Sequence, residues 1–158
     1  MLLSAFNTTV LTVALGMLPA QMDTPEARVM LLAIGLQESE LTFRCQKNGP
    51  AHGCWQFEIT GVRSVLSNDA CRKLLWDISI KRGITYPSSA SIYAALVTDD
   101  ILAAIVARLL LWTDPKPLPA IGDVQDAWSY YLRNWEPGKP RFDAWPENYA
   151  RAVSVIQG

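Results

Sequence analysis

The chain has 158 residues, half of them hydrophobic, which suits one domain with a sizeable core better than two. Its formal net charge is −1 and no stretch is strongly basic, which excludes the electrostatic footprint of a nucleic-acid binder. So small a charge also gives no long-range pull toward an anionic polymer, and recognition of one would have to be short-range.

Six tryptophans and five tyrosines supply aromatic area. Most of it belongs in a core, and rings that do not fit there suit the lining of a cleft. The three cysteines, Cys45, Cys54 and Cys71, are an odd number and so no complete disulfide framework. Spacing permits a Cys45–Cys54 bridge without requiring it. Reduced thiols are the expectation.

In chain order, residues 3–18 read as a helix packed on the domain, within an N-terminal segment of residues 1–22. No charged side chain precedes Asp23, so the basic flank of an export signal is missing. The apolar run from Val13 to Ala20 is far short of the roughly 20 residues that cross a bilayer. Asp23-Thr24-Pro25-Glu26 is a helix start: a capping side chain, proline at the first helical position and an acid at the positive end of the dipole. From Ala27 to Leu36 the helix is apolar on nearly every face apart from Arg28, which places it in the middle of a fold. It ends in Glu38, Ser39 and Glu40. Acids there oppose the helix dipole, and a local rule broken this way marks a candidate for function.

Residues 44–57 read as a loop, with Asn48-Gly49-Pro50 and Gly53 as breaks and a short extended piece near Trp55–Ile59. Residues 69–82 predict a helix stopped by Gly83, and Tyr86–Ser89 a linker. Residues 91–112 predict a second long apolar helix, ended by Thr113-Asp114-Pro115. A proline-rich segment, Lys116–Gly122, leads to a helix capped by Asp123 and running through Trp135. Pro137-Gly138 ends it, and Pro146 opens a last helix through Ile156. The reading is mostly α and a single domain.

Glu38 is the residue these patterns single out. A carboxyl at the end of a buried apolar helix, beside a loop, loses solvation. Its pKa is then expected to rise, which keeps a proton available near neutral pH. That suits a general acid for breaking a glycosidic bond. Glu40, two residues on, points to another side of the helix and is the local competitor.

Residues 31–57, LLAIGLQESELTFRCQKNGPAHGCWQF, resemble the active-site stretch of lytic transglycosylases and related small phage lysozymes. That family places Glu-Ser at the end of a central helix, here Glu38-Ser39, and follows it with a Gly-x-x-Gln loop, here Gly53-Cys54-Trp55-Gln56. A later tyrosine motif has its counterpart in AWSYYLRNWEPG, where Tyr130 or Tyr131 would face Glu38. A tyrosine of the last helix has its counterpart in Tyr149 of WPENYARAV. Two features depart from the family: Cys54-Trp55 replaces its usual Leu-Met, and the tyrosine motif lacks its Asn-Ala-Gly.

The resemblance implies a lysozyme-like domain over residues 1–158, with a buried central helix and little or no β. It implies cleavage of the β-1,4 link between N-acetylmuramic acid and N-acetylglucosamine in peptidoglycan. Glu38 would protonate the leaving oxygen and then act as base. Ser39, Trp55, Gln56, Tyr130, Tyr131 and Tyr149 would contact substrate or orient Glu38. A transglycosylase needs no second carboxylate. A hydrolase would use one, and Glu58, Asp69 and Asp77 are the candidates, with Glu58 preferred. The setting implied is a bacteriophage enzyme for host lysis or wall penetration, an endolysin or virion component. It would be made in the host cytoplasm and act on glycan strands in the periplasm. No cofactor, metal, nucleic-acid partner or stable membrane insertion is expected, and the protein would be a monomer unless part of a virion.

Three rival readings remain in the sequence. Cys45, His52 and Cys54 are metal ligands by type, but their spacing fits no zinc pattern and a fourth ligand is missing. Cys54 with His52 as a nucleophile pair lacks an orienting third group. A non-catalytic wall-binding or virion module on the same fold would have no chemical reason to keep an acid at a buried helix end.

Overall fold

A computed structural model describes residues 2–46 and 48–158. The protein is mostly α, and the described residues hold no β-strand, only isolated bridges pairing Cys45 with His52 and His52 with Phe57. The expected extended piece near Trp55–Ile59 is thus reduced to the second of these bridges. Helices run α1 (Leu3–Phe6), α2 (Thr12–Gly16), α3 (Pro25–Ser39), α4 (Ile59–Ser67), α5 (Asp69–Lys81), α6 (Ser89–Ala95), α7 (Asp100–Thr113), α8 (Val124–Trp135) and α9 (Trp145–Gln157). Each contributes buried side chains to one continuous core.

Between α1 and α2 the chain continues as a π-helical turn, Asn7–Leu11, so the expected N-terminal helix is present with a widened middle. Phe6, Val10, Leu11, Ala14 and Leu15 face the core. Arg28, the polar exception on α3, explains itself here. Its guanidinium pairs with both oxygens of Asp23 and donates to Asn7 Oδ1 at 3.0 Å and Thr12 Oγ1 at 3.1 Å. It thereby ties α3 to both ends of the π turn.

α3 is the axis of the fold. Thr24 caps it by accepting from Ala27 N, Pro25 opens it, and every residue from Val29 to Gln37 is buried. Each fully buried leucine or isoleucine contributes about 1.5–3 kcal/mol. The helix packs most closely on α9 and also against α7. It ends because Glu40 and Leu41 both turn left-handed, at φ 53°. Their N–H groups return to Leu36 and Gly35, satisfying carbonyls the helix end would orphan.

Two expectations need correction. α4 lies in a stretch with no predicted element. Its apolar face, Val62 and Val65, is short enough to pass for loop. The predicted 91–112 helix is two helices. Asp99 leaves helical geometry and its side chain accepts from Leu102 N at 2.9 Å, capping α7 anew. The Thr98-Asp99-Asp100 interruption is that cap. Among the described residues no helix is long and apolar enough to cross a membrane.

Candidate active site

The C-terminal end of α3, the loop through Phe57, the start of α4 and the end of α8 with the segment after it enclose an open cleft of about 580 Å³. Glu38, Gln56, Phe57, Glu58, Tyr131, Trp135 and Arg141 are among its walls.

Glu38 sits in the last turn of α3, half-buried. Burial pushes its carboxyl above the ordinary range, the direction expected from sequence. Two partners oppose that: the Tyr131 hydroxyl, then the charge of Arg141. The Tyr131 hydroxyl donates to Glu38 Oε1 at 2.6 Å. Tyr131 is itself held by stacking on Trp145, ring centroids 5.2 Å apart and nearly parallel. Its own pKa is raised by burial and by the neighbouring carboxylate, so the hydroxyl keeps its proton as donor. One carboxyl, held by one hydroxyl at the wall of an open cleft, is an arrangement that can deliver a proton to a bound molecule. Glu40, the competitor, is exposed at the helix cap and is not among the cleft walls.

The loop that faces Glu38 is fixed by its backbone. Gly53 adopts φ +77°, and a Cβ there would lie 2.8 Å from the Leu96 carbonyl oxygen, so only glycine fits. Ser39 Oγ donates to the Cys54 carbonyl at 2.5 Å and to Gly35 O at 3.3 Å. Trp135 Nε1 donates to the Trp55 carbonyl at 3.0 Å. Arg44 grips Asp100 through both carboxylate oxygens, at 2.8 and 2.6 Å. Gln56 then turns left-handed at φ 49°, a costly conformation for a non-glycine residue, with Nε2 donating to Gly53 O and, at 3.3 Å, to Phe43 O.

No protein-family model, curated protein or solved structure matches the chain. The site is therefore read from its own geometry.

That geometry brings together Glu38, Tyr131, Gln56 and Glu58. It removes four residues from direct contact with a cleft-bound molecule. Ser39 is buried, its hydroxyl spent on backbone carbonyls. Trp55 is fully buried and donates its indole N–H to Leu31 O at 2.9 Å, as a core residue does. Tyr130 is buried, with its hydroxyl on Leu111 O at 3.0 Å. Tyr149 lies under the proline-rich segment, where its hydroxyl accepts from Gly122 N at 3.1 Å. Of the acids weighed beside Glu38, Glu58 lines the cleft. Asp69 is exposed and pairs with Arg72, and Asp77 lies by Arg72, Lys73 and Trp76 in a separate depression.

The nucleophile reading of Cys54 and His52 fails on geometry. The Cys54 thiol is buried, points to Asp100 Oδ1 at 3.5 Å, and is pushed up to about 12 by burial and that carboxylate. His52 stacks on Tyr93 instead, with Nδ1 3.1 Å from the Tyr93 carbonyl. All three cysteines are free thiols, with Cys45 exposed and the other two buried. Among the described residues no three His, Cys, Asp or Glu side chains gather as a metal site would require.

Sequence reasoning missed Gln37 and Arg141. Gln37 is 4 % exposed and bonded across more than a hundred residues to Arg141 and Asn148. Its one local signal was a polar residue in an apolar run.

Proposed function

We propose that the protein is a peptidoglycan-cleaving glycosidase with Glu38 as its general acid and then its base. The observation that carries the reading is the half-buried Glu38 carboxyl, raised in pKa and held by Tyr131 at the wall of an open cleft. The Glu38-Ser39 and Gly53–Gln56 motifs, with a tyrosine facing the acid, are the lysozyme-like pattern named from sequence, and they supply the substrate class. In this account Glu38 protonates the glycosidic oxygen between N-acetylmuramic acid and N-acetylglucosamine. The substrate's own N-acetyl or 6-hydroxyl group completes a transglycosylase reaction. In a hydrolase, Glu58 of the same cleft would activate water. Tyr131 orients the carboxyl, and Gln56 offers a cleft-side polar contact. Ser39 and Trp55 act indirectly, by holding the loop.

The setting that suits this activity is a phage lysis or entry enzyme acting on the periplasmic wall. The test is release of soluble fragments from purified sacculi by wild type and Glu38→Gln. The account predicts release by wild type alone. Equal release by both would remove Glu38 from the chemistry. No release, with both proteins co-sedimenting with sacculi, would point to a binding module.

A further inference from the structure

Gln37 precedes Glu38 on α3 and lies buried at the floor of the same cleft. Its amide Nε2 donates to the Arg141 carbonyl at 2.8 Å, and its Oε1 accepts from Asn148 Nδ2 at 2.9 Å. Arg141 answers by donating from Nη2 to the Gln37 carbonyl at 3.0 Å. The pair is therefore reciprocal, each residue holding the other's backbone, and Asn148 orients the amide from α9. The clasp closes the segment after α8 onto the end of α3, on the peptide unit that leads into Glu38. It fixes the Arg141 guanidinium at the cleft wall beside the carboxyl, although Arg141 lies on an irregular, solvent-exposed segment that would otherwise leave a long cation free to wander.

We propose that Gln37 is a positioning residue of the cleft: through its clasp with Arg141 and Asn148 it fixes the Arg141 guanidinium at the cleft wall that carries Glu38. The inference rests on the reading of Glu38 as the acid of the cleft. The charged and titratable groups that face the cleft are Glu38 from α3, Glu58 ahead of α4, Tyr131 and Arg133 from α8, and Glu136, Lys139 and Arg141 from the segment after it. Arg133 is committed to Asp114 at 2.6 Å. Arg141 is the cation whose charge acts on both Glu38 and Tyr131. A cation fixed near a carboxyl favours the ionised form, and one free to move into water does so far less. The clasp thus restrains the rise that burial imposes, and keeps Glu38 able to work as acid in one step and base in the next.

The test is an NMR titration of the Glu38 side-chain carboxyl, which needs no substrate, in wild type, Gln37→Met, Arg141→Met and the double variant. Gln37→Met keeps the volume and deletes the amide. The expected result is an upward shift of the Glu38 titration in both single variants. The double variant should move no further than Arg141→Met alone, since both act through one cation. A Glu38 that titrates in Gln37→Met as in wild type overturns the proposal, as does a Gln37→Met shift that persists undiminished once Arg141 is gone. If Gln37→Met does not fold, Asn148→Ala decides. An upward shift there supports the clasp and an unmoved titration overturns it. Because the titration is read without cleavage, shifts of the expected pattern in a protein that releases nothing from sacculi would keep the clasp and discard the enzyme reading.

Discussion

Glu38→Gln is expected to make the protein more stable at neutral pH while abolishing its chemistry. The Glu38 carboxyl is half-buried, and burial holds its pKa in the folded state above that of the unfolded chain. Between those two values the native state binds more protons than the unfolded state, so stability falls as pH rises through the window. Below the unfolded pKa the burden is absent, and above the folded pKa it is fully present. Glutamine keeps the shape and can still accept the hydrogen bond that Tyr131 makes at 2.6 Å, yet it carries no charge to desolvate. Removing a partly desolvated charge is expected to give a gain on the order of 1 kcal/mol at pH 7. For a chain of this size that raises Tm by roughly 2–4 °C. Thermal unfolding of both proteins from pH 4 to 8 reads it directly. Other titrating groups are shared, so the difference between the two curves isolates Glu38. The gap should open as pH rises. A variant less stable than wild type at pH 7, or a gap that does not change with pH, would refute the reasoning.

Three further outcomes follow from the same contacts. Tyr131→Phe removes a bond to a charged group worth about 1.5–3 kcal/mol. The Glu38 titration should move up, and cleavage should fall about tenfold or more, which a pH-rate profile of fragment release would record as a basic limb displaced to higher pH. Ser39→Ala orphans the Cys54 carbonyl and should cost about 1–3 kcal/mol in urea unfolding, with faster amide exchange across residues 53–57. A change within experimental error would show that this bond does not hold the loop. Gly53→Ala combines a left-handed φ with a Cβ 2.8 Å from Leu96 O, and a loss of about 1–3 kcal/mol in thermal unfolding is expected. An unaltered Tm would mean the turn relaxes freely.

What could be read from the sequence was whatever a local signal carried. The cap and proline at Thr24-Pro25, the nearly all-apolar run to Leu36 and the misplaced acids defined α3 and pointed to Glu38. Choosing between Tyr130 and Tyr131 was beyond that, because adjacent residues on a helix diverge by about 100° and the packing of α8 decides which faces the acid. Trp55 in a glycine-containing loop reads as a binding platform. Its burial follows from a partner twenty-four residues away, the Leu31 carbonyl, which no local pattern announces. The Gln37–Arg141 clasp joins residues 104 apart and left no trace in spacing at all. The break between α6 and α7 was present as Thr98-Asp99-Asp100 and was outweighed by the apolar residues on either side.

The central claim is that Glu38 cleaves glycan strands, and mass spectrometry of the ends it leaves tests that most directly. Purified peptidoglycan is digested with wild type and with Glu38→Gln under conditions in which a known muramidase releases fragments. The account predicts soluble fragments from wild type that vanish in the variant, with anhydro-muramyl ends for a transglycosylase or reducing ends for a hydrolase that uses Glu58. Fragments unchanged by Glu38→Gln, or none from either protein, would contradict it.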